Sequence, residues 1–184
     1  MVQEGIMDRF GIGQVYGIHN APNVAFGHFH TTPGPLMASV DTAFVYITGK
    51  GGHGALPHEA VDAIAVSGQI LSALQTIVSR NVDPQETAVL TIGAIRGGTA
   101  FNVIAEFVEM EGTIRTFSPT VRETVLTRLR VLLDGVTAGF GARYELSVDS
   151  VTSAVVNDPG VAELARQAAV QVVGNSAVTW HPPF

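Results

Sequence analysis

The sequence contains no cysteine, only 14% charged residues and a single tryptophan. Without thiols the chain has no disulfides or thiolate metal sites, which is typical of a cytoplasmic protein. No apolar run approaches the roughly 20 residues that span a bilayer, and no signal peptide opens the chain, so no membrane partner is expected. The net charge of −6 argues against a nucleic-acid partner, because phosphate binding needs a basic surface.

Hydrophobic residues make up 46% of the 184 residues, which is the composition of a folded globular protein. Their spacing predicts four strands and two helices in the central part of the chain. The order from residue 41 to 149 is β-α-β-β-α-β, which is typical of a ferredoxin-like α+β sandwich. Residues 38–150 are therefore expected to form a self-sufficient domain. The predicted strands are 41–49, 87–95, 106–117 and 142–149, and the predicted helices are about 58–80 and 119–140.

The strand at 106–117 alternates between apolar and polar residues, so the two faces of the sheet are expected to differ. One set, predicted to face the helices, comprises Val108, Met110, Gly112 and Ile114. The other set, predicted to lie on an uncovered face, comprises Glu109, Glu111, Thr113 and Arg115.

The first predicted helix begins at Pro57 and His58 and carries no charge from Ala63 to Ser79. Small polar residues on its outer side suggest contact with another subunit, although a poorly charged solvent face is an alternative. Its predicted inward face comprises Val61, Ile64, Gly68, Leu71, Leu74 and Val78.

The flanking segments, 1–37 and 151–184, are too short to form a second core. Residues 14–18 (QVYGI) predict a buried strand, and a further helix is expected to start at Asn157-Asp158-Pro159 and stop at Gly174. A buried strand needs neighbours, and this sequence supplies none for it. The segments are therefore expected to be parts of a larger α/β domain into which 38–150 is inserted.

His53 lies among three glycines in the stretch KGGHGALPHEAVDA, where a strand gives way to a helix. Gly51, Gly52 and Gly54 permit unusual backbone angles and close approach of a ligand, so the imidazole is expected to be displayed for function. The alternative is a turn that happens to contain histidine.

Three other histidines are candidates of lesser weight. His19 follows the predicted strand at its carboxyl end, where α/β sheets place ligands, and one imidazole there is a candidate metal ligand. His28 and His30 share one face of a probable strand, but no third ligand accompanies them, so an exposed strand face is preferred. His58 is expected in the first turn of a helix, and His181 gives no signal.

Asn102 ends the glycine-rich loop GGTAFN and offers both a hydrogen-bond donor and an acceptor. Arg115 offers a planar fork suited to a carboxylate. Alternatively, Asn102 only forms a turn, and Arg115 pairs with Glu109 or Glu111.

Several motifs together resemble one family, and the resemblance covers essentially the whole chain. They are GIHNAP, GPLMASVDTAF, GKGGHGALPHEAVDAI, ALQTIVSRNVDP, GGTAFNVI, GTIRTF and NDP. The chain is similar to the bacterial amidohydrolase branch of the metal-dependent aminoacylase and carboxypeptidase superfamily. That branch includes hippurate hydrolases, N-acetyl-diaminopimelate deacetylases and plant auxin-conjugate hydrolases.

The resemblance implies a two-metal catalytic domain with an inserted ferredoxin-like lid that forms a homodimer. His19 would be a metal ligand, and His53 would reach into the partner subunit's active site to stabilise an oxyanion. Asn102 and Arg115 would bind the carboxylate of an N-acyl amino acid, whose amide bond is hydrolysed. The complete enzyme would hold two divalent ions (zinc, manganese, nickel or cobalt), of which this chain alone would stably bind none.

The family's Cys-Gly-His-Asp motif and Glu-Glu pair are absent, and its last histidine ligand would follow Phe184. The isolated chain is therefore expected to be inactive, with 1–37 and 151–184 belonging to the catalytic domain. Two alternatives are a non-catalytic dimerisation module and a small-molecule-binding module that uses the open sheet face.

Overall fold

The computed structural model of the protein describes residues 2–180, which divide into two compact units. The larger unit is Met37–Val155, and the smaller combines Met1–Leu36 with Val156–Phe184. None of the described helices has the length and apolarity that crossing a membrane requires.

The elements alternate along the chain as follows. The helices are α1 Ile6–Phe10, α2 Ala63–Asn81, α3 Pro119–Phe140 and α4 Pro159–Val173, with short 3₁₀ turns at Val2–Glu4, Pro57–Glu59 and Asn175–Ala177. The strands are β1 Phe29–Thr31, β2 Gly34–Met37, β3 Val40–Thr48, β4 Gly52–His53, β5 Ala88–Gly97, β6 Val103–Ile104, β7 Phe107–Thr116, β8 Arg143–Thr152, β9 Val155–Asn157 and β10 Val178–Trp180.

The larger unit is built on a four-stranded antiparallel sheet in the order β5-β7-β3-β8. In chain order the sheet strands and the two long helices run β3-α2-β5-β7-α3-β8. The predicted ferredoxin-like fold is therefore confirmed. β5 and β8 are the edges of the sheet, and β5 has an irregular register between Ile92 and Ala94.

The core lies between the sheet and the helices α2 and α3. The predicted alternation of β7 is confirmed, since Val108, Met110 and Ile114 are buried and Arg115 is exposed. Each fully buried aliphatic side chain contributes about 1.5–3 kcal/mol through removal from water. The remaining core side chains from the helices include Val66, Ile70, Leu74, Ile77, Val125, Leu129 and Leu133.

Polar contacts tie β3 to the rest of this unit. The fully buried carboxylate of Asp41 accepts two hydrogen bonds from Arg122 on α3, at 2.8 and 2.7 Å. Ser39 and Thr116 are joined by their hydroxyl groups at 3.0 Å. A buried charge is tolerated only when it is paired in this way.

The observed helix α2 differs from the predicted first long helix in where it begins and in which residues face inward. It begins at Ala63, because the Asp62 carboxylate accepts hydrogen bonds from the backbone of Ile64 and Ala65 and so caps it. Of the predicted inward face only Leu74 is fully buried, while Ile64 is 51% exposed. The predicted phase was wrong because a helix without charges has apolar residues on more than one face. The observed inward face is Ala63, Val66, Ser67, Ile70, Leu74 and Ile77.

The smaller unit corrects a second prediction. Residues 14–18 form no strand, and Ile18 is 87% exposed. None of the described strands pairs with this segment, so the backbone partners that a buried strand needs are not supplied. The helix α4 ends before Gly174 as predicted, with Asp158 as its N-cap. β1 pairs with β10 and includes His30, whereas His28 precedes the strand.

Candidate functional site

His53 is held at the end of a small two-stranded ladder. β4 pairs antiparallel with β6, with Gly52 opposite Ile104 and His53 opposite Val103. The carbonyl of His53 also accepts the backbone N–H of Leu56 at 2.8 Å, which closes the loop after it. The backbone at His53 is therefore fixed while its side chain is exposed.

The ring of His53 has a defined tautomer. Its Nδ1 lies 3.1 Å from the backbone nitrogen of Ala55, and that N–H can only donate. Nδ1 is therefore the acceptor, and the neutral ring carries its hydrogen on Nε2. The exposed end of the imidazole is thus a hydrogen-bond donor.

The glycines around His53 serve close packing. None of Gly51, Gly52 and Gly54 has a positive φ, so the expectation of unusual backbone angles is wrong. A Cβ on Gly52 would lie 2.9 Å from the Cβ of Ala60, and one on Gly54 would lie 2.8 Å from the carbonyl oxygen of Asn102. The bare backbone lets neighbouring segments approach closely enough to hold the histidine loop.

Asn102 is brought next to this loop. Its carbonyl accepts the backbone N–H of Gly54 at 2.9 Å, and the residue is exposed in the turn that precedes β6. Within residues 2–180 its side-chain amide has no hydrogen bond. Asn102 and the Nε2–H of His53 are therefore both available to a ligand at the same end of the unit.

A groove of about 1050 Å³ lies beside His53 at the end of the sheet that is marked by the pairing of Gly97 with Val108. Its lining includes Tyr46, Val103 and Phe107, together with four charged residues, which are Lys50, Arg96, Glu106 and Glu109. A hydrogen bond to Glu109 raises the pKa of Tyr46 above its ordinary value. The sequence prediction missed this groove, although the two-residue alternation of β3 and β7 is the signal that places Tyr46 and Glu109 on one face.

Arg115 lies at the other end of the sheet. It is opposite Val89 on β5, whereas the His53 end of the sheet is marked by the pairing of Gly97 with Val108. Arg115 lies seven positions after Val108 on β7, which is roughly 23 Å of extended strand. One chain therefore does not bring Arg115 to its own His53 and Asn102.

The alternative pairing of Arg115 with glutamates on its own strand is wrong. Arg96 on β5 forms an ion pair with Glu111 and lies 4.0 Å from Glu109. Among the described residues, no ion pair or hydrogen bond involves the side chain of Arg115. Its guanidinium is exposed and free to receive a carboxylate.

His19 lies in the smaller unit, with its ring in the opposite tautomer. Its Nδ1 donates to the carbonyl of Asn20 at 2.6 Å, which leaves the lone pair on Nε2. That arrangement suits a metal ligand, but residues 2–180 contain no group of three side chains that could hold an ion. His58 makes only an exposed contact with Glu59, and His181 lies outside the described residues.

Comparisons with known proteins identify the family to which this chain is similar. The peptidase dimerisation domain of the M20 family matches residues 39–138. An N-acetylcysteine deacetylase of Bacillus subtilis is 38% identical over 94% of this chain and 45% of its own length. An N-acyl-L-amino acid amidohydrolase of Geobacillus stearothermophilus is 44% identical over 85% of this chain and 42% of its own length.

A solved structure of a dinuclear metal-binding peptidase of the M20 family, from Bacillus subtilis, covers 100% of this chain and 44% of its own length. Its sequence identity is 32% and its TM-score is 0.73. The chain thus spans less than half the length of these relatives. Because the dimerisation-domain match covers more than half of this chain, the chain belongs to the M20 amidohydrolase family and carries its peptidase dimerisation domain.

Proposed function

We propose that this chain is part of a metal-dependent amidohydrolase that cleaves the amide bond of N-acyl amino acids. The observation that carries the proposal is the pair of histidine tautomers: Nε2 of His53 is a donor and Nε2 of His19 is an acceptor. Amide hydrolysis at a metal centre needs both, namely a ligand for the ion and a donor for the developing oxyanion. The names of the two curated relatives support this substrate class.

His53 would act on the carbonyl oxygen of the substrate. When water attacks the amide carbon, that oxygen gains negative charge, and an Nε2–H already aimed at it stabilises the transition state. Removing one such donor typically lowers kcat about 100- to 1000-fold. The fixed backbone of β4 and the hydrogen bond from Ala55 hold the ring in place before reaction.

His19 would hold one of two divalent ions through its free Nε2. Such ions, when bound, would activate a water molecule as the nucleophile. We propose that the other ligands and the general base come from the rest of the protein, with 1–37 and 151–184 contributing to that catalytic domain. On this proposal the isolated chain hydrolyses no N-acyl amino acid, with or without added zinc or manganese.

The larger unit would form the homodimer through α2 and the β5 edge. The outer face of α2 is uncharged and includes exposed Ile64, Gly68 and Ser72, and the β5 edge exposes Val89 and Ile95. An uncharged helix face beside an unpaired strand edge is a surface suited to a second copy. The match to a peptidase dimerisation domain supports this assignment.

This dimer explains the separation of Arg115 from His53. If two β5 edges meet about a twofold axis, they run antiparallel, and the Val89 end of one chain lies beside the Gly97 end of the other. Arg115 is opposite Val89, and the His53 groove includes Gly97. Arg115 of one subunit and His53 with Asn102 of its partner would then bind the same substrate, with Arg115 on its carboxylate.

Mixing two inactive variants of the complete enzyme tests this arrangement. His53→Ala and His19→Ala homodimers should each lose activity, and the latter should also lose bound metal. If His53 acts across the interface, each mixed dimer has one intact site, so co-refolding should restore roughly a quarter of wild-type activity. No recovery in mixtures that contain the mixed dimer would place His53 in its own subunit's site and contradict the proposal.

A second candidate function is a non-catalytic dimerisation module, which the continuous core of the larger unit favours. In that case residues 37–155 alone should form dimers in light scattering, and the complete protein should hydrolyse neither hippurate nor N-acetyl amino acids. Metal-dependent hydrolysis by the complete protein would exclude this candidate.

A further inference from the structure

The loop that connects β5 to β6, residues 98–102, ends at Asn102 and is held by close backbone contacts at both ends. At its start, a Cβ on Gly97 would lie 2.6 Å from Cγ2 of Val108 on β7, so bare backbone is needed there. At its end, the carbonyl oxygen of Asn102 accepts the backbone N–H of Gly54 at 2.9 Å. The loop is therefore fastened to the main sheet on one side and to the histidine loop on the other.

A third contact lies at Gly98, between these two ends. Gly98 has a φ of 77°, in the left-handed region that favours glycine. The position that a Cβ on Gly98 would occupy lies 3.3 Å from Cδ1 of Ile64, in the first turn of α2. Among the described residues, and apart from the chain neighbours of Gly98, no other heavy atom lies within 4 Å of that position. On this side the loop therefore rests on a single methyl group.

The first turn of α2 gives that methyl group a fixed base. The backbone N–H of Ile64 donates to the carboxylate of Asp62 at 2.9 Å, and the N–H of Ala63 donates to the carbonyl of Ala105 at 3.2 Å. A β-branched side chain in a helix has one strongly preferred χ1 rotamer, so the direction of the Ile64 side chain is restricted. Ile64 is also 51% exposed, so it contributes less to folding than a fully buried isoleucine.

A shift of this loop would be felt most strongly at Asn102. The side-chain amide of Asn102 has no hydrogen bond within residues 2–180, and the proposed function assigns it to the substrate. Hydrogen bonds weaken steeply as their angle departs from the preferred range, so binding by Asn102 depends on where the loop is held. His53 is less dependent on the loop, because the β4–β6 ladder and the N–H of Leu56 fix its backbone.

We propose, building on the function proposed above, that Ile64 is a positioning residue for substrate binding. Its Cδ1 methyl group holds Gly98, and the loop in turn holds the amide of Asn102 where it meets the substrate. Ile64 itself does not touch the substrate. Loss of the methyl group should therefore weaken substrate binding and leave the contribution of His53 to the chemical step in place.

The test uses steady-state kinetics of the complete, metal-loaded enzyme, with whichever of hippurate and N-acetylglycine is hydrolysed faster. Ile64→Val removes Cδ1 and keeps the branched Cβ. It should raise KM about three- to tenfold, the effect of weakening one hydrogen bond, while kcat stays close to the wild-type value. Ile64→Leu again carries methyl groups at the δ position and should recover much of the wild-type KM.

A double variant separates positioning from a general structural role. Asn102→Ala removes the side-chain amide but keeps the carbonyl that accepts the N–H of Gly54. In the Asn102→Ala background, Ile64→Val should leave KM unchanged, because there is no longer an amide to position. A rise in KM that persists in this background would overturn the proposal.

Ile95→Val is the matched control. Ile95 is 50% exposed on β5, belongs to the same proposed dimer surface and does not contact the Cβ position of Gly98. Its KM should equal that of the wild type when all variants are assayed at concentrations where light scattering shows the dimer. Hydrogen exchange followed by mass spectrometry gives a readout without substrate, and the Gly54 amide should exchange faster in Ile64→Val than in Ile95→Val.

Three results would overturn this role of Ile64 while leaving the amidohydrolase proposal intact. They are a KM of Ile64→Val equal to the wild-type value, a fall in kcat alone, and an unchanged exchange rate of the Gly54 amide. Failure of the complete enzyme to hydrolyse either substrate would instead overturn the proposed function, and the role of Ile64 with it.

Discussion

In the larger unit, buried side chains from the sheet and from both long helices form one continuous core. In the described part of the smaller unit, by contrast, the buried hydrophobic residues are Ala162 and Val178, while Ile18 is 87% exposed and Phe26 fully exposed. Both units have apolar sequences, so composition does not separate them. The difference teaches that the larger unit covers the inner faces of its sheet and helices with its own side chains, whereas much of the apolar surface of residues 12–26 lacks such partners within the described chain.

The largest expected effect is on the free energy of unfolding, where a buried residue of the larger unit is compared with an exposed residue of the smaller unit. Leu129 is 1% exposed, and Leu129→Ala should lower the free energy of unfolding by about 2–5 kcal/mol through lost burial and a cavity. Ile18→Ala should change it by less than about 0.5 kcal/mol, because that side chain is already in water. Urea unfolding followed by circular dichroism measures both, and equal losses would remove the contrast.

A smaller effect is expected from the ion pairs of the two units. Asp41→Ala leaves the guanidinium of Arg122 without its two hydrogen bonds to a fully buried carboxylate and should cost about 1.5–3 kcal/mol of unfolding free energy. The matched variant is Glu163→Ala, which removes the pair between Arg166 and the exposed carboxylate of Glu163 in the smaller unit. Its loss should be much smaller, because solvent screens exposed pairs. Thermal unfolding of both variants makes the comparison, and the reverse order would contradict it.

Substitutions on the outer faces of α2 and α3 should differ in their effect on the dimer dissociation constant. Ile64→Glu places a charge on the uncharged outer face of α2 and should raise the dimer dissociation constant at least about tenfold, since a buried charge needs a partner. The control is Val131→Glu on α3, where Val131 is similarly exposed at 48%. Analytical ultracentrifugation across a dilution series gives both constants. A dimer that tolerates Ile64→Glu would exclude α2 from the interface.

The smallest expected effect is a pH dependence of the smaller unit. Hydrogen bonds from Arg166 and Gln167 lower the pKa of Glu163 to about 2, from 4.5. Because the folded-state pKa is the lower one, its stabilising contribution is complete above pH 4.5 and is lost as the pH falls toward 2. The stability difference between wild type and Glu163→Gln should shrink over that range, and an NMR titration of Glu163 checks the cause.

Prediction from sequence succeeded where two signals agreed. On β7 the alternation of Val108, Met110 and Ile114 with Glu109 and Arg115 matches the period of a strand, so the buried face was predicted correctly. Asp158 and Pro159 gave both a cap and a first helical residue for α4. Local chemistry was sufficient at both places.

It failed where the signals conflicted or where the answer depends on distant contacts. Pro57 suggested a helix start, but the carboxylate of Asp62 caps the helix and sets its first turn. The phase of α2 was ambiguous because no charge marks its outer face. The glycines around His53 were recognised as necessary, but their reason is contact with Ala60 and Asn102, which spacing along the chain does not reveal.

The two edge strands of the main sheet also differ in charge, which bears on the proposed assembly. The outer strand β8 carries Arg143, Glu145 and Asp149, whereas β5 has no charged residue from Ala88 to Ile95. Charged side chains discourage further strand addition at a margin. If two copies join through β5 as proposed, β8 would lie at both extremities, and growth would terminate at a pair without propagating into a fibre.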